Sequence, residues 1–287
     1  MPEVRSRPCF LTPGRLNPDS PLFVFLPGMD GTGQLLRLQT EGLEAAFDVR
    51  CLAIPADDLT SWEDLAAIVL NLIEEELKKR PSRFVYLCGE SFGGCLALKV
   101  ALKSPHLFDR IILVNPATSF NQRPLLRWGS QLGYWLPESL YGVSALVLLP
   151  FLSNLERIAP SDRRALLNAM QSVPPKTVNW RISMVSEFSI DETQLERLTQ
   201  PVLIIAGEAD RLLPSALEAE RLTNYLSNAK RLVLPRSGHT CLLETGINLF
   251  EIMKDQNFFV ETSQTPLHTQ SVGDGMDRRE IDALRAG

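Results

Sequence analysis

Short apolar runs that alternate with amphipathic stretches constrain the fold of this chain more than any other feature. Such alternation is typical of βαβ units, in which helices connect the strands of a mainly parallel sheet. Most of the runs are continuously apolar, as expected for strands that are covered on both faces. We predict an α/β fold with a mainly parallel sheet flanked by helices. The predicted strands are Leu22–Leu26, Val49–Ile54, Phe84–Cys88, Ile111–Asn115, Val202–Ala206 and Arg231–Leu234.

An amphipathic helix is predicted between the second and third of these strands. Thr60 and Glu63 have the spacing of a capping box at its start. Glu and Lys residues occupy the opposite face of the helix. The apolar positions recur at helical spacing and are Leu65, Ile68, Val69, Leu72, Ile73 and Leu77.

The strand pattern stops after Asn115 and resumes at Pro201. The residues between are mostly helical in character, with prolines as punctuation. The sequence therefore predicts an α/β core in two pieces, 1–119 and 191–260, with a helical cap inserted at 120–190. Residues 261–287 are rich in Ser, Thr, Gln, Gly and charge, and we expect them to form a disordered tail.

Composition excludes several classes of protein. The formal net charge is −5 and the sequence has no dense Lys/Arg cluster, so a nucleic-acid partner is not expected. The five cysteines are scattered without CxxC spacing, which favours buried, reduced thiols. We predict no metal site and no cofactor.

Membrane insertion and secretion are also not expected. The longest weakly charged stretch, 128–155, is interrupted by Pro137, Glu138 and Pro150. Its uninterrupted parts are too short for a membrane-spanning helix. The first twenty residues contain no apolar run of the kind found in signal peptides. We predict a cytoplasmic protein.

A nucleophile motif follows the third predicted strand. Gly89-Glu90-Ser91-Phe92-Gly93 has the form G-x-S-x-G and leads into the helical stretch Cys95–Leu102. In this strand–turn–helix context the motif presents a serine on a sharp turn at a helix N-terminus, where developing negative charge is favoured. Ser91 is therefore the candidate nucleophile.

A serine nucleophile needs a general base, and the chain has three histidines. His268 falls in the expected tail, and His106 follows Ser104-Pro105 in an expected solvated loop. His239 comes directly after the last predicted strand, where a G-x-S-x-G protein of this order presents its base. We predict that His239 is the base.

The acid that orients the histidine is predicted to be Asp210. It lies in a loop four residues beyond the strand that ends at Ala206, which gives the chain order Ser, Asp, His. Glu208 and Asp191 are the rival acids. Glu208 is interpreted as a solvated loop charge and Asp191 as a helix cap.

The loop after the first predicted strand, Leu26–Gly33, has the composition of an oxyanion loop. An oxyanion hole needs two backbone N–H donors, one from the residue after the nucleophile and one from such an early loop. We predict Phe92 and Met29 as these donors. The glycines of the loop do not form G-x-G-x-x-G, so a dinucleotide site is not favoured.

These motifs together resemble the α/β-hydrolase superfamily over roughly residues 20–255. More narrowly, they look like esterase/lipase/thioesterase-type proteins of cyanobacteria and plastids, a group that includes the phytyl ester synthases. Plant members of that group carry a further acyltransferase-like domain with an H-x-x-x-x-D motif, which does not occur in this sequence. The segments that carry the narrower resemblance are Phe25–Gly33, Cys88–Ala97 and Asn115–Ser119.

The resemblance and the motifs imply a serine esterase, lipase-like hydrolase or O-acyltransferase that acts on lipid-like acyl esters or thioesters. Water or a long-chain alcohol would resolve the acyl-enzyme, and the triad does not distinguish them. Non-ester chemistry of the same fold, or a catalytically inactive binding protein, remain alternatives of another class.

The centre of the expected cap is unusually apolar and aromatic. Trp and Tyr are favoured at membrane interfaces, and four of them fall between residues 128 and 141. We therefore expect the cap to receive a long acyl chain, with Trp135 and Leu148 among its substrate-binding residues, and to associate peripherally with a membrane such as the thylakoid. The alternative is that these residues form only the cap's own core.

Overall fold

Seven strands form one sheet in the computed structural model of the protein, which describes residues 7–81, 83–122, 148–260 and 266–269. The order across the sheet is β1-β3-β2-β4-β5-β6-β7. β1 pairs antiparallel with β3, and every other pair of neighbours is parallel. The strands are β1 (Cys9–Leu11), β2 (Leu22–Leu26), β3 (Asp48–Ala53), β4 (Val85–Glu90), β5 (Arg110–Val114), β6 (Val202–Gly207) and β7 (Ala229–Leu234).

All six predicted strands are present, and their ends lie within two residues of the predicted ones. The sequence analysis missed β1. This strand has three half-buried residues at the edge of the sheet, which is too short for a readable pattern. The expectation of a mainly parallel sheet is confirmed.

Helices cover both faces of the sheet, and three of those given below, α4, α5 and α6, lie in sequence between β5 and β6. The elbow helix, predicted from Cys95, begins earlier, directly after Ser91. Short 3-10 turns occur at Gln34–Leu36, Pro105–Leu107, Ala117–Gln122, Leu155–Arg157 and Cys241–Leu243. The helices are α1 (Arg37–Glu44), α2 (Trp62–Lys79), α3 (Phe92–Lys103), α4 (Pro160–Gln171), α5 (Pro175–Glu187), α6 (Glu192–Glu196), α7 (Ser215–Tyr225) and α8 (Leu249–Asp255).

Alternate residues of each central strand enter two separate cores. In β2, Val24 packs on the side of α2, α3 and α7, and Phe25 packs on the side of α1 and α8. Ile111 and Ile112 of β5 divide in the same way. Because successive side chains of a strand point to opposite faces, strands covered on both faces must be apolar throughout. This explains the continuous runs in the sequence.

The capping box predicted at Thr60 and Glu63 is wrong by one residue. Ser61 is the N-cap of α2, and its hydroxyl oxygen accepts a hydrogen bond from the Asp64 N–H at 3.2 Å. The Thr60 hydroxyl instead donates to the Asp58 carboxylate at 3.0 Å, in the turn before the helix. Two hydroxyl residues stand side by side, and the local turn at Asp58 decides which one caps.

The five cysteines are free thiols, as predicted. Four of them are buried, and Cys9, on the edge strand β1, is half-buried. Burial raises the pKa of Cys51 to about 12 and raises the pKa of Cys88, Cys95 and Cys241 well above the ordinary value. Buried neutral thiols of this kind are structural and unreactive.

The membrane-related predictions fall partly outside the described residues. Among the helices of the described residues, none is both long enough and apolar enough to cross a bilayer. Trp135 lies outside the described residues, as do the tail residues 261–265 and 270–287. The described tail segment Pro266–Thr269 contacts the core, where the Leu267 N–H donates to Asp109 at 2.9 Å.

Candidate active site

Ser91 lies on a sharp turn between β4 and α3. Its φ of 54° is in the left-handed region, which a non-glycine residue rarely adopts, so the backbone is strained there. A Cβ atom on Gly89 would lie 2.2 Å from the Gly93 carbonyl oxygen, and one on Gly93 would lie 2.0 Å from that of Leu26. Both flanking glycines are therefore required by the close approach of the neighbouring backbone, and they hold Ser91 at the carboxyl end of the sheet.

His239 lies in the loop after β7, and its Nε2 is 2.8 Å from the Ser91 Oγ. The two residues are 148 positions apart in the sequence. The imidazole is almost completely buried, with 3% of the side chain exposed. This distance and direction suit a base that accepts the proton of the serine hydroxyl.

Asp210 lies in the loop after β6 and holds the other side of the imidazole. Its Oδ2 is 2.7 Å from the His239 Nδ1 and also accepts a hydrogen bond from the Ser215 hydroxyl. Its Oδ1 accepts from the N–H groups of Leu212 and Leu213 at 2.9 and 3.0 Å. The carboxylate is thus fully bonded, which fixes its orientation toward the histidine.

The electrostatics of this pair favour its charged form. Burial opposes the carboxylate of Asp210, but the His239 charge and the hydrogen bonds from His239, Ser215 and Leu213 outweigh it and lower the pKa of Asp210. Burial likewise opposes the imidazolium, but the charge and hydrogen bond of Asp210 and the charge of Glu90 raise the pKa of His239. An imidazolium formed when the serine loses its proton would be stabilised here.

The rival residues lie elsewhere. Glu208 is exposed, and its carboxylate accepts a hydrogen bond from the Arg236 N–H at 3.3 Å. Asp191 caps α6 in a capping box with Gln194, as predicted. His106 is exposed on a 3-10 turn, and the His268 Nε2 donates to the Pro81 carbonyl at 2.5 Å. The described structure therefore brings only Asp210 and His239 of these candidates to Ser91.

The predicted oxyanion loop lies beside the nucleophile. A Cβ atom on Gly28 would be 3.9 Å from the Ser91 Cβ, so the backbone of the loop passes next to the serine. Met29 follows in this loop, and Phe92 is the first residue of α3. The roles of Met29 and Phe92 as oxyanion donors stay a prediction.

A buried arginine in the predicted cap bonds to the predicted oxyanion loop. Arg181 of α5 is 2% exposed, and its guanidinium donates to the carbonyl oxygens of Met29 at 2.6 Å and Pro55 at 3.0 Å. Burial lowers the pKa of Arg181, and the negative charges of Asp30 and Asp58 oppose that effect. The sequence analysis missed this residue, since nothing local relates a helix in the insertion to a loop 152 positions away.

Glu90 is a second acidic residue at the site. It ends β4 directly before Ser91 and is 6% exposed. Burial raises the pKa of Glu90 to about 8; the charge of His239 opposes this rise and that of Asp30 adds to it. One signal for it exists in the sequence, because Glu90 is a charged residue at the end of an otherwise apolar strand.

The described part of the predicted substrate-binding surface is small. Leu148 is 43% exposed and Phe151 is 50% exposed, both near the middle of the predicted cap 120–190. The Thr240 N–H, next to His239, donates to the Leu152 carbonyl at 2.9 Å. This segment therefore contacts the loop that carries His239.

A serine on a strand–turn–helix elbow, at the carboxyl end of a mainly parallel sheet and in line with a buried histidine and aspartate, defines the chain as an α/β-hydrolase. A family model agrees with this class over well over half of the sequence. The model, described as "Serine aminopeptidase, S33" (Hydrolase_4), matches residues 57–246, and the chain belongs to this family.

Relatives of known name are found among plant and bacterial proteins. The chain is 34% identical to "Phytyl ester synthase 1, chloroplastic" of Arabidopsis thaliana over 84% of its own length and 37% of that protein. It is 26% identical to the "Pimeloyl-[acyl-carrier protein] methyl ester esterase" of Nitrosomonas europaea over 71% of its length and 82% of that protein. The chain thus spans less than two fifths of the phytyl ester synthase.

Solved structures support the fold. The structure of MenH from S. aureus superposes with a TM-score of 0.70, covers 88% of this chain and 100% of that chain, and has 15% sequence identity. At this identity the similarity shows the fold alone.

Proposed function

We propose that this protein is a serine-nucleophile enzyme that transfers acyl groups from esters or thioesters through an acyl-Ser91 intermediate. The observation that carries the proposal is the buried line of hydrogen bonds from Ser91 through His239 to Asp210. The Ser91–His239 distance suits proton transfer, and the bond from His239 to Asp210 orients the imidazole. The pKa directions of Asp210 and His239 favour the charged pair that the reaction would form.

In the first half of the proposed reaction, the Ser91 Oγ attacks the carbonyl carbon of the substrate while the His239 Nε2 accepts the hydroxyl proton. The N–H groups of Met29 and Phe92 stabilise the negative oxygen of the tetrahedral intermediate. His239 then donates the proton to the leaving alcohol or thiol as its bond to the acyl carbon breaks.

The second half reverses these steps with a new acceptor. His239 removes a proton from water or from an alcohol, whose oxygen attacks the acyl-Ser91 carbonyl, and Ser91 recovers its proton as it leaves. Water gives a hydrolase, and a long-chain alcohol gives an acyltransferase. The names of the relatives include both an esterase and an ester synthase, and they support ester chemistry without selecting the acceptor.

The first experiment is covalent labelling with a fluorophosphonate probe. We expect the wild-type protein to be labelled at Ser91 and Ser91→Ala to be unlabelled and slower in turnover by several orders of magnitude. Ser104→Ala, at the other end of α3, is the matched control and should label normally. Failure of the wild-type protein to label, or labelling of Ser91→Ala, would refute the proposed nucleophile.

The acceptor is tested by product analysis. Incubation of a long-chain acyl ester or thioester with and without a long-chain alcohol should show whether free acid or a new ester forms. An ester that accumulates in water would favour acyl transfer, since a dry apolar site admits a lipid alcohol while it restricts water.

We further propose that the insertion selects long acyl chains and brings the enzyme to a membrane surface. Burial of each methylene contributes about 0.8 kcal/mol, so kcat/KM for palmitate esters should exceed that for butyrate esters by more than about tenfold. Trp135→Glu combined with Leu148→Glu should reduce liposome flotation. Equal kcat/KM for both esters, together with no liposome binding, would leave a small-ester hydrolase.

A further inference from the structure

The segment that follows β5 has no part in the proposed chemistry, although it lies next to the proposed active site. Asn115-Pro116-Ala117-Thr118-Ser119 carries part of the family resemblance but contains none of the proposed triad residues. Asn115 is completely buried, and its φ is 42°. Asn tolerates this left-handed conformation better than most residues, yet the conformation still costs free energy, so the surroundings must hold it there.

The side-chain amide of Asn115 bonds to the loops of both the acid and the base. Its Nδ2 donates to the carbonyl oxygens of His239 at 2.6 Å and Gly238 at 3.2 Å. Its Oδ1 accepts from the N–H of Gly207 at 2.7 Å. Gly207 ends β6 three residues before Asp210, so one amide connects the backbone of the base to the strand that carries the acid.

The same segment also fixes the backbone of the nucleophile. The Ser91 N–H donates to the Val114 carbonyl at 3.0 Å, and the Ala117 N–H donates to the Ser91 carbonyl at 3.0 Å. Val114 and Ala117, which flank Asn115 and Pro116, therefore bond to the backbone of Ser91. The Asn115 side chain bonds to the loop that carries His239 and to the end of β6.

The groups around the Asn115 side chain require one short side chain that both donates and accepts hydrogen bonds. The two loops already meet backbone against backbone, because a Cβ atom on Gly207 would lie 2.5 Å from the carbonyl oxygens of Ser237 and Gly238. Between them, carbonyl oxygens and an N–H group all face one buried point. An aspartate could accept but not donate as a carboxylate, and a leucine could do neither, so buried polar groups would be left unsatisfied.

From this geometry we propose that Asn115 is a positioning residue that sets the distance and orientation of His239 relative to Asp210 and Ser91. It touches no reacting atom and acts through the backbone of the two loops. The inference rests on the proposed function, since it assigns a task that has meaning only if His239 is the base.

The test compares variants of Asn115 by the rate of Ser91 labelling with a fluorophosphonate from about pH 5 to about pH 9. Asn115→Gly removes the side chain but tolerates the positive φ, which limits the loss of stability. Asn115→Asp keeps the acceptor for Gly207 and removes both donors to the base loop. It also serves as the folded variant if Asn115→Gly does not accumulate.

The matched control is Gln39, a buried amide with the same three kinds of hydrogen bond away from the proposed triad. Its Nε2 donates to the carbonyls of Leu242 at 2.7 Å and Ile247 at 3.0 Å, and its Oε1 accepts from the Leu249 N–H at 2.7 Å. Gln39→Ala should lower the melting temperature and leave the labelling rate and its pH midpoint unchanged.

For Asn115→Gly we expect labelling to be slower by at least about tenfold at temperatures well below melting, because small displacements of a base are costly. Asp210 and Glu90 are the acids whose charges raise the pKa of His239. Looser contact between His239 and Asp210 should lower the pKa of His239 and so move the pH midpoint of labelling downward. Asn115→Asp should also label slowly, although it keeps the Gly207 bond.

Two results would overturn the inference. One is labelling of Asn115→Gly within about twofold of wild type with the same pH midpoint, and the other is an equal effect of Gln39→Ala. Absence of labelling in the wild-type protein would instead contradict the proposed function, so the two failures are distinguishable.

Discussion

At the scale of single residues, Asp210, the proposed acid, differs from the nearby Glu208 in its burial and in its hydrogen bonds. The Asp210 side chain is 1% exposed and bonded at both oxygens, whereas Glu208, two residues earlier, is exposed. Two carboxylates in one loop thus have different surroundings. The difference can be measured by neutralising each of them.

Asp210→Asn should leave Ser91 in place but present the wrong partner to His239, and lower kcat by up to about 10⁴-fold. Glu208→Gln is the matched change at the exposed carboxylate and should alter kcat by less than about twofold. Steady-state kinetics on an acyl ester would measure both. The opposite ranking of the two variants would move the acid to Glu208.

Glu90 is expected to link stability and reactivity to pH. Its folded-state pKa, about 8, lies above its ordinary value, so its contribution to stability is present at low pH and is lost as the pH rises through about 8. Glu90→Gln cannot ionise and should therefore raise the free energy of unfolding above pH 8 by at least about 1 kcal/mol. Denaturant titrations at acidic and alkaline pH would measure this.

The same variant should change the pH dependence of labelling at Ser91. As Glu90 ionises near pH 8, its charge is one of the causes that raise the pKa of His239, so Glu90→Gln should move the labelling midpoint to lower pH. Glu208→Gln provides the control for loss of an acidic side chain. An unchanged or higher midpoint in Glu90→Gln would contradict the interaction.

The sequence proposed Ser91, Asp210 and His239 as a triad from a motif, an order along the chain and the small number of histidines. In the structure His239 lies within hydrogen-bond distance of both Ser91 and Asp210, and the catalytic roles of the three residues stay a prediction. The residues around them were not predicted. Asn115 and Ser215 could not be selected, because an amide or a hydroxyl acquires its task from partners that only the folded chain brings near. The distance of 92 positions between Asn115 and Gly207 illustrates this.

At the scale of elements, a buried arginine is one of the residues that join α5 to the core. The guanidinium of Arg181 occupies a buried point between the carbonyls of Met29 and Pro55. Trp180, the residue before it, donates from Nε1 to the Thr60 carbonyl at 3.2 Å. Helix α5 therefore makes hydrogen bonds both to the predicted oxyanion loop and to the segment that precedes α2.

Arg181→Met should preserve much of the apolar bulk but remove the donor to the Met29 carbonyl, at a cost of about 1–3 kcal/mol for a buried unsatisfied group. The Pro55 carbonyl would keep its bond from the Asp58 N–H at 3.1 Å. We expect a lower melting temperature and slower labelling of Ser91. Arg163→Met is the control, since Arg163 of α4 donates to one carbonyl, that of Ile158, at 2.8 Å. A normal labelling rate in Arg181→Met would show that the hydrogen bonds of Arg181 contribute to stability but not to the reactivity of Ser91.

Helices and strands with a long apolar pattern were predicted more accurately than helix ends and short edge strands, where neighbouring residues compete for the same hydrogen bonds or leave too short a pattern. The apolar stripe of α2 identified the helix, but the choice of Ser61 over Thr60 as its cap depended on the turn at Asp58. β1 was missed because three edge residues leave no pattern. The boundaries of the core and the cap stay predictions, since 123–147 lie outside the described residues.

At the scale of the whole molecule, a buried ionic cluster lies at the end of the sheet opposite Ser91. Asp48, the first residue of β3, is completely buried and accepts hydrogen bonds from Arg50 at 2.7 Å and Arg83 at 2.6 Å. Glu76 of α2 accepts from Arg50 at 3.0 Å. Burial would raise the pKa of Asp48, but these bonds and one from the Asn17 N–H outweigh it and lower the pKa.

The pKa of Glu76 is also lowered, because hydrogen bonds and charges from Lys79 and Arg50 outweigh its burial. Groups whose pKa is lower in the folded state stabilise the protein above their ordinary pKa, near 4, and the contribution is lost as the pH falls further. The free energy of unfolding should therefore drop steeply below about pH 4.

Asp48→Asn should lower the free energy of unfolding near neutral pH by up to about 3–5 kcal/mol, because two buried guanidinium groups lose one of the two carboxylates that they share and keep only Glu76. It should also weaken the acid dependence. Asp19→Asn, at a carboxylate that is 87% exposed, should cost less than about 1 kcal/mol. Urea titrations of both variants across pH would test this, and equal stability of the two would contradict the role of the cluster.

The order of strands in the sheet also has a consequence for synthesis of the chain on the ribosome. β6 completes the sheet beside β5, yet 87 residues, 115–201, separate the two strands. At translation rates of ~5–20 residues per second, on the order of 4–17 seconds pass between them. Until β6 emerges, β5 offers an open edge whose residues after Arg110 are all apolar, which is a template for pairing with other chains. The length of the insertion thus sets how long a nascent chain remains exposed to aggregation or to a chaperone.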